Sequence, residues 1–323
     1  MSISLADLER AAATVHEAML PTPQHRWPLL AERTGTDVWV KHENHTPIGS
    51  FKVRGGLVYL RELRRREPSL QGIITATRGN HGQSIAFAAG RTGFRVTIVV
   101  PEGNSVEKNA AMHALGAELV VHGHDFQASL EYAIQRSEAE GLHLLPSFDR
   151  LLVQGVGTYA LELLRGVPDL DTVYVPIGLG SGICGMIAAR DALRLPTKVV
   201  GVVSTNAPAY ALSFERGAPV STNSADTMAD GMACRVPVAE AVATIQAGAE
   251  RIVQVTDAEI RAAMRAYYTD THNLAEGAGA APLAALLQER ESMRGRKVAV
   301  VLSGGNVDMA VFRQVLAEAD DPI

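Results

Sequence analysis

The chain has 323 residues, with 30 basic against 35 acidic side chains, a net charge of −5 and 47% apolar residues. That balance belongs to an ordinary globular protein long enough for two lobes. Without a basic excess to neutralise phosphates, nucleic-acid binding is excluded as a main function. No long apolar segment or apolar leader is seen, so neither a membrane span nor secretion is expected. Two widely spaced cysteines, Cys184 and Cys234, fit a reducing cytoplasm.

In chain order, Ser4 to about Met19 reads as an amphipathic helix, with Ser4 as N-cap, Asp7 three residues later, and Pro21 and Pro23 as stops. Next comes "GSFKVRGG", which seats Lys52 between Phe51 and Val53 where a glycine-led loop turns into a helix. The chain's other lysines are Lys41, Lys108, Lys198 and Lys297, so few side chains offer an amine that can lose its proton and attack a carbonyl. The run Arg64-Arg65-Arg66, flanked by Glu62 and Glu67, reads as a solvated helix face.

From there apolar β-branched runs alternate with helical patterns. "GIITAT" precedes "GNHGQSIAFAAGRTG" and "RVTIVVP" precedes "SVEKNAAMHALG"; "AELVVHG", "TVYVPIG", "KVVGVVST" and "KVAVVLSGG" continue the pattern. The alternation predicts an α/β fold of parallel-rich sheets covered by helices.

Ligands of such folds bind beyond the carboxyl ends of strands, and three loops there are unusual. At Thr77-Arg78-Gly79-Asn80-His81 a strand gives way to a helix whose first N–H groups can hold a carboxylate. Asn80 either hydrogen-bonds a ligand oxygen or is a simple cap facing water. Gly178-Leu179-Gly180-Ser181-Gly182 suits a phosphate cradle. A dinucleotide site would need an acidic residue about twenty positions further on, at the end of the next strand. That strand ends in Ser204 and Thr205, which argues against a NAD-dependent oxidoreductase. At Ser303-Gly304-Gly305 a small hydroxyl and two glycines let a flat ligand approach the backbone.

His122-Gly123-His124-Asp125 lacks a further nearby ligand for zinc, and His124-Asp125 equally suits a helix start. His42-Glu43-Asn44-His45 misses the metalloprotease spacing, and no Walker A or G-x-S-x-G pattern occurs.

An amine, an anion loop, a phosphate-sized turn and a Ser-Gly-Gly turn together suit a phosphorylated aromatic aldehyde, pyridoxal 5′-phosphate. Here the chain resembles the fold-type II pyridoxal-phosphate enzymes, within them the serine/threonine dehydratase family. The resemblance runs from about Leu20 onward through "KHENHTPIGSFKVRGG", "GNHGQS", "PIGLGSGICG", "TMADGM", "EGAGAAPLAAL" and "LSGGN".

The resemblance implies a two-lobed fold similar to the tryptophan synthase β chain, with 48–147 as the smaller lobe and 1–47 with 148–323 as the larger, cofactor-binding one. It makes Lys52 the catalytic Schiff-base lysine. Phe51, Asn80, Gly178, Leu179, Gly180, Ser181, Gly182, Glu276 and Ser303 join it in holding the cofactor. Ser50, Thr77, Arg78, Gly79, Asn80 and His81 would receive the substrate, a β-hydroxy amino acid of the threonine or serine type. The implied product is a 2-oxo acid with ammonia, and the implied assembly is a homodimer.

Departures from the family pattern refine this. Leu179 and Ser181 interrupt the usual glycine run. Arg78 stands where racemases of the family carry a serine base, and a guanidinium is a poor base. Arg78 would either contact a substrate, pointing to 3-hydroxyaspartate, or pair with a surface carboxylate; phenylserine also stays open. After "VVGVVS" come Ser204, Thr205, Asn206, Ala209 and Tyr210, with no carboxylate until Glu215, so the family's divalent-cation site is not expected. The chain ends soon after "LSGGN", so a regulatory domain is not expected either. A racemase and a non-catalytic binding protein are the remaining alternatives.

Overall fold

A computed structural model describes residues 3–318. The first helix, Leu5–His16, starts as its sequence dictates: Ser4 Oγ accepts the Asp7 N–H at 3.2 Å and Asp7 Oδ2 accepts the Ser4 N–H at 3.0 Å.

Ten strands follow: β1 (Gln24–Arg26), β2 (Asp37–His42), β3 (Gly72–Ala76), β4 (Arg95–Val100), β5 (Glu118–Val121), β6 (His143–Leu144), β7 (Thr172–Pro176), β8 (Lys198–Ser204), β9 (Arg251–Val255) and β10 (Lys297–Leu302). They form a six-stranded sheet in the order β1-β2-β10-β7-β8-β9 and a four-stranded sheet in the order β5-β4-β3-β6. Every pairing is parallel except β1 with β2.

The valine runs become strands because both faces of each sheet are covered. On β10, Ala299 and Val301 enter one core with the helices Arg150–Gly166 and Ser181–Ala192, while Val298, Val300 and Leu302 enter another with Asp257–Thr271 and Gly277–Gln288. The smaller sheet divides likewise. Val96, Ile98 and Val100 pack with the helices Lys52–Arg66 and Asn80–Thr92, and Val99 packs toward Phe126–Glu140. No helix among the described residues is long and apolar enough to cross a membrane.

One expectation changes, and one alternative left open is settled. Arg64 is not simply solvated: its guanidinium lies 3.7 Å from the Phe94 ring centroid and donates to the carbonyls of Thr92, Pro68 and Leu70, while Arg65 and Arg66 pair with Glu62. The Asp125 side chain accepts the Ala128 N–H at 2.9 Å and caps the helix that follows, leaving His124 exposed.

Beneath the helix that begins at Lys52, Arg54 is 0% exposed. Its guanidinium donates to both Glu43 oxygens at 2.7 and 2.9 Å, to both Glu162 oxygens at 2.7 and 2.9 Å, and to Thr158 Oγ1 at 3.0 Å. Lys41 Nζ adds a bond to Glu162 at 2.6 Å. Burial alone would raise Glu162, but Arg54 and Lys41 outweigh it and hold the carboxyl at about 2.

Removing one member leaves a buried charge uncompensated. Arg54→Met is therefore expected to lower the unfolding free energy by about 3–5 kcal/mol, measured by chemical denaturation, with partial recovery in Arg54→Met/Glu43→Gln. Because the folded value of Glu162 lies below its ordinary 4.5, its contribution is full above that pH and is lost as pH falls from 4.5 toward 2. An acid titration of stability should show that decline in the wild type and a weaker one in Glu162→Gln.

Candidate active site

The loops after β3, β7 and β10 and the start of the helix Lys52–Arg66 enclose a cavity of about 580 Å³. Phe51, Lys52, Thr77, Arg78, Gly79, Asn80, His81, Glu276 and Ser303 line it, together with the whole turn from Gly178 to Gly182. Ser50 departs from expectation and lies behind this wall. Its backbone bridges to Gly304, Thr46 Oγ1 bonds both its N–H and its carbonyl, and its own hydroxyl is buried without a partner.

Lys52 opens its helix, and Phe51 N donates to the Ser303 carbonyl at 3.0 Å, tying the lysine to the end of β10. The Lys52 amine lies 3.2 Å from Ser181 Oγ and 5.0 Å from the Phe51 ring centroid. Burial lowers its pKa to about 8, against the opposing charge of Glu276. A substantial share of free amine is therefore present at mildly alkaline pH.

The turn after β7 suits an anion. Gly180 has φ +98°, and a Cβ there would stand 2.8 Å from Ala241 Cβ, so a side chain is excluded twice over. Tyr210 Oη donates to the Leu179 carbonyl at 2.8 Å and Tyr159 Oη to that of Gly182 at 2.9 Å, which fixes the turn at the start of the helix Ser181–Ala192. The first N–H groups of that helix form the cradle.

Asn80 does not face water. Its Nδ2 donates to Glu276 Oε1 at 2.7 Å and its Oδ1 accepts from Asn306 Nδ2 at 2.8 Å. His81 is buried with Nε2 unpartnered, and burial, then the nearby Lys52, pushes it down to about 3, so it stays neutral. Arg78 is exposed at the rim and forms no hydrogen bond or ion pair among the described residues.

Two lining residues carry a role that sequence reasoning did not give them. Lys108, 6% exposed, reaches from the helix Val106–Ala114 across Gly79 to pair with Asp230, and its Nζ lies 3.8 Å from Glu276 Oε2. A Cβ on Gly79 would meet Lys108 Cδ at 2.5 Å, so that glycine makes room for the crossing lysine. The signals were present in the short inventory of lysines and in "TMADGM", but the pairing of the two needs the fold. Burial pushes the Glu276 carboxyl up, Lys108 pulls it down, and Asp230 pushes it up again.

Near Ser204, Asp257 arrives from a distant helix, but Thr227 Oγ1 and the Met228 N–H engage its carboxylate. Among the described residues no cluster of three or more His, Cys, Asp or Glu is placed to hold a metal ion.

These residues fit pyridoxal phosphate: a desolvated amine for its aldehyde, a fixed helix N-terminus for its phosphate, and Glu276 Oε2 and His81 Nε2 left without a hydrogen-bond partner beside the space. Two parallel-rich sheets meeting around such a cavity define a fold-type II cofactor enzyme. The chain belongs to the pyridoxal-phosphate-dependent enzyme family, which residues 15–304 match.

It is 32% identical over 315 residues to an L-threonine ammonia-lyase of Thermotoga maritima, covering 97% of this chain and 78% of that one. The structure of the processed form of threonine deaminase isoform 2 from Solanum lycopersicum aligns with TM-score 0.90 at 29% identity, over 98% and 95% of the two chains. A pyridoxal 5′-phosphate-dependent aspartate racemase aligns with TM-score 0.91 at 29% identity, over 97% and 98%.

Competitive acylation of cofactor-stripped protein reads the amine directly. Lys52 should label with a midpoint near pH 8. Glu276→Gln removes the charge that raises it, so the midpoint should move lower.

Proposed function

We propose that this protein is a pyridoxal-phosphate-dependent ammonia-lyase that takes water from a β-hydroxy amino acid of the threonine or serine type and releases a 2-oxo acid and ammonia. The observation that carries the reading is the Lys52 amine, desolvated and aimed at the glycine turn, with a serine, Ser303, closing the cavity at the end of β10.

When bound, the cofactor supplies an electron sink that acidifies the substrate Cα–H. The protein does the rest. Free Lys52 amine takes the Cα proton. The N–H groups from Thr77 to His81 would hold the substrate carboxylate, and Asn80, clamped by Glu276 and Asn306, would bind the ring's phenolic oxygen. The turn Gly178–Gly182 holds the phosphate, with Leu179 and Ser181 as an altered wall. Ser303 presents a neutral hydroxyl where a carboxylate would keep the ring nitrogen protonated, which favours elimination over transamination.

Racemisation needs a second base on the opposite face, and Arg78 is a poor one. Since Arg78 lines the rim without a partner, a substrate carrying a second carboxylate, such as L-threo-3-hydroxyaspartate, is the second reading. The same proposal takes 48–147 as one lobe and 1–47 with 148–323 as the other, and adopts the homodimer from the family resemblance. It sets the enzyme in a reducing cytoplasm, which two free buried thiols support.

The test is a visible spectrum of the purified protein with oxo-acid release from L-threonine, L-serine, L-threo-3-hydroxyaspartate and L-phenylserine. A lysine-bound cofactor band that Lys52→Ala abolishes, with oxo acid from threonine or serine, is expected. A band without oxo acid from any of the four would overturn the lyase reading, and release from hydroxyaspartate alone would favour the second.

A further inference from the structure

The departing β-hydroxyl has to leave as water, which requires a proton at the moment the C–O bond breaks. Among the titratable groups lining the cavity, Arg78 does not release a proton, Lys108 is fixed by Asp230, His81 is neutral, and Glu276 is engaged by Asn80 on one oxygen and faces Lys108 with the other. Thr77 Oγ1 accepts the Gly79 N–H at 3.1 Å and, among the described residues, has no hydrogen bond to Lys52 through which a spent proton could be returned.

Ser181 differs. It is the one hydroxyl in a turn otherwise made of glycines and Leu179, it is 3% exposed, and its Oγ lies 3.2 Å from Lys52 Nζ with no other side-chain hydrogen bond among the described residues.

From this geometry we infer that Ser181 is a further catalytic residue, the acid that protonates the leaving hydroxyl and is itself re-protonated by Lys52. The inference rests on the ammonia-lyase reading above. In the step, Lys52 as free amine takes the Cα proton and becomes the ammonium. The electron pair left on Cα forms the Cα–Cβ double bond as the Cβ–O bond breaks. The leaving oxygen takes the Ser181 Oγ proton and departs as water, and Ser181 recovers a proton from the Lys52 ammonium. The substrate loses one water and both side chains return to their starting states. The depressed Lys52 pKa helps, because an ammonium that titrates near 8 passes its proton on more readily than one near 10.5.

A leaving group that needs no proton separates this role from a structural one. The experiment compares holoenzyme and its Ser181→Ala, Ser181→Gly and Ser181→Thr variants on L-serine and on β-chloro-L-alanine, whose chloride leaves unprotonated. The cofactor spectrum and cofactor affinity are recorded for each protein.

Saturated with cofactor, Ser181→Ala and Ser181→Gly should lose about 100-fold more in kcat on L-serine than on the chloro substrate. Exchange of the L-serine Cα hydrogen with solvent should persist, since Lys52 performs it, and Ser181→Thr should recover most of the elimination. Equal losses on both substrates would make Ser181 a holder of the phosphate only and overturn the inference. Unimpaired elimination from L-serine would also overturn it, placing the acid elsewhere, for instance on the cofactor phosphate. A wild-type enzyme inert on both substrates would sink the ammonia-lyase reading itself.

Discussion

Arg54 sits two residues beyond Lys52 and is satisfied entirely inside the protein. Through Glu43 it grips the turn after β2, and through Glu162 and Thr158 it grips the helix Arg150–Gly166. A buried cation with bidentate carboxylates on both sides has few geometries open to it, so the first turn of the Lys52 helix is set by charge as well as by packing. An apolar core of similar volume would give comparable stability but would let that helix slide and rotate. The role proposed for Lys52 needs that helix held in place.

The two buried amines of the cavity show how environment assigns chemistry. Lys52 meets a hydroxyl and the face of an aromatic ring, with the Glu276 charge too weak to offset its desolvation, and its pKa falls. Lys108 also suffers desolvation, but Glu276 and Asp230 outweigh it, and its pKa rises. One amine is thus available for a carbonyl while the other is a permanent cation. The permanent one steadies Glu276, which in turn orients Asn80. Two lysines in one cavity would otherwise compete for the same aldehyde.

Much of this was legible in the sequence where burial is two-sided. Apolar runs rich in β-branched residues marked β3, β4, β7, β8 and β10 because parallel strands covered on both faces need no polar alternation. β2, with Asp37 and Lys41 in "DVWVKH", and β9, with Gln254 in "RIVQV", mix polar residues into their patterns and were not read as strands. The two-residue β6 carries no periodicity at all. Motif order brought the cavity's loops to attention, since each is contiguous in the chain. The Lys108–Asp230 pair, the burial of Ser50 and the docking of Arg64 on Phe94 are contacts between distant segments, and local pattern does not encode them.

Among the described strands β10 comes last in chain order, yet it lies in the middle of the larger sheet, between β2 and β7. The loop holding Lys52 is laced to the residues just beyond it, by Phe51 N to the Ser303 carbonyl, Gly305 N to the Gly49 carbonyl and the bridge from Ser50 to Gly304. A growing chain can complete the smaller sheet early, from residues 72–144, while β2 waits with one edge unpaired. Lys52 is made well before β10, so the contacts that lace its loop form only once residues 297–305 emerge, roughly at the pace of translation. A product stalled before β10 therefore carries the buried amine's sequence without the surroundings that desolvate it.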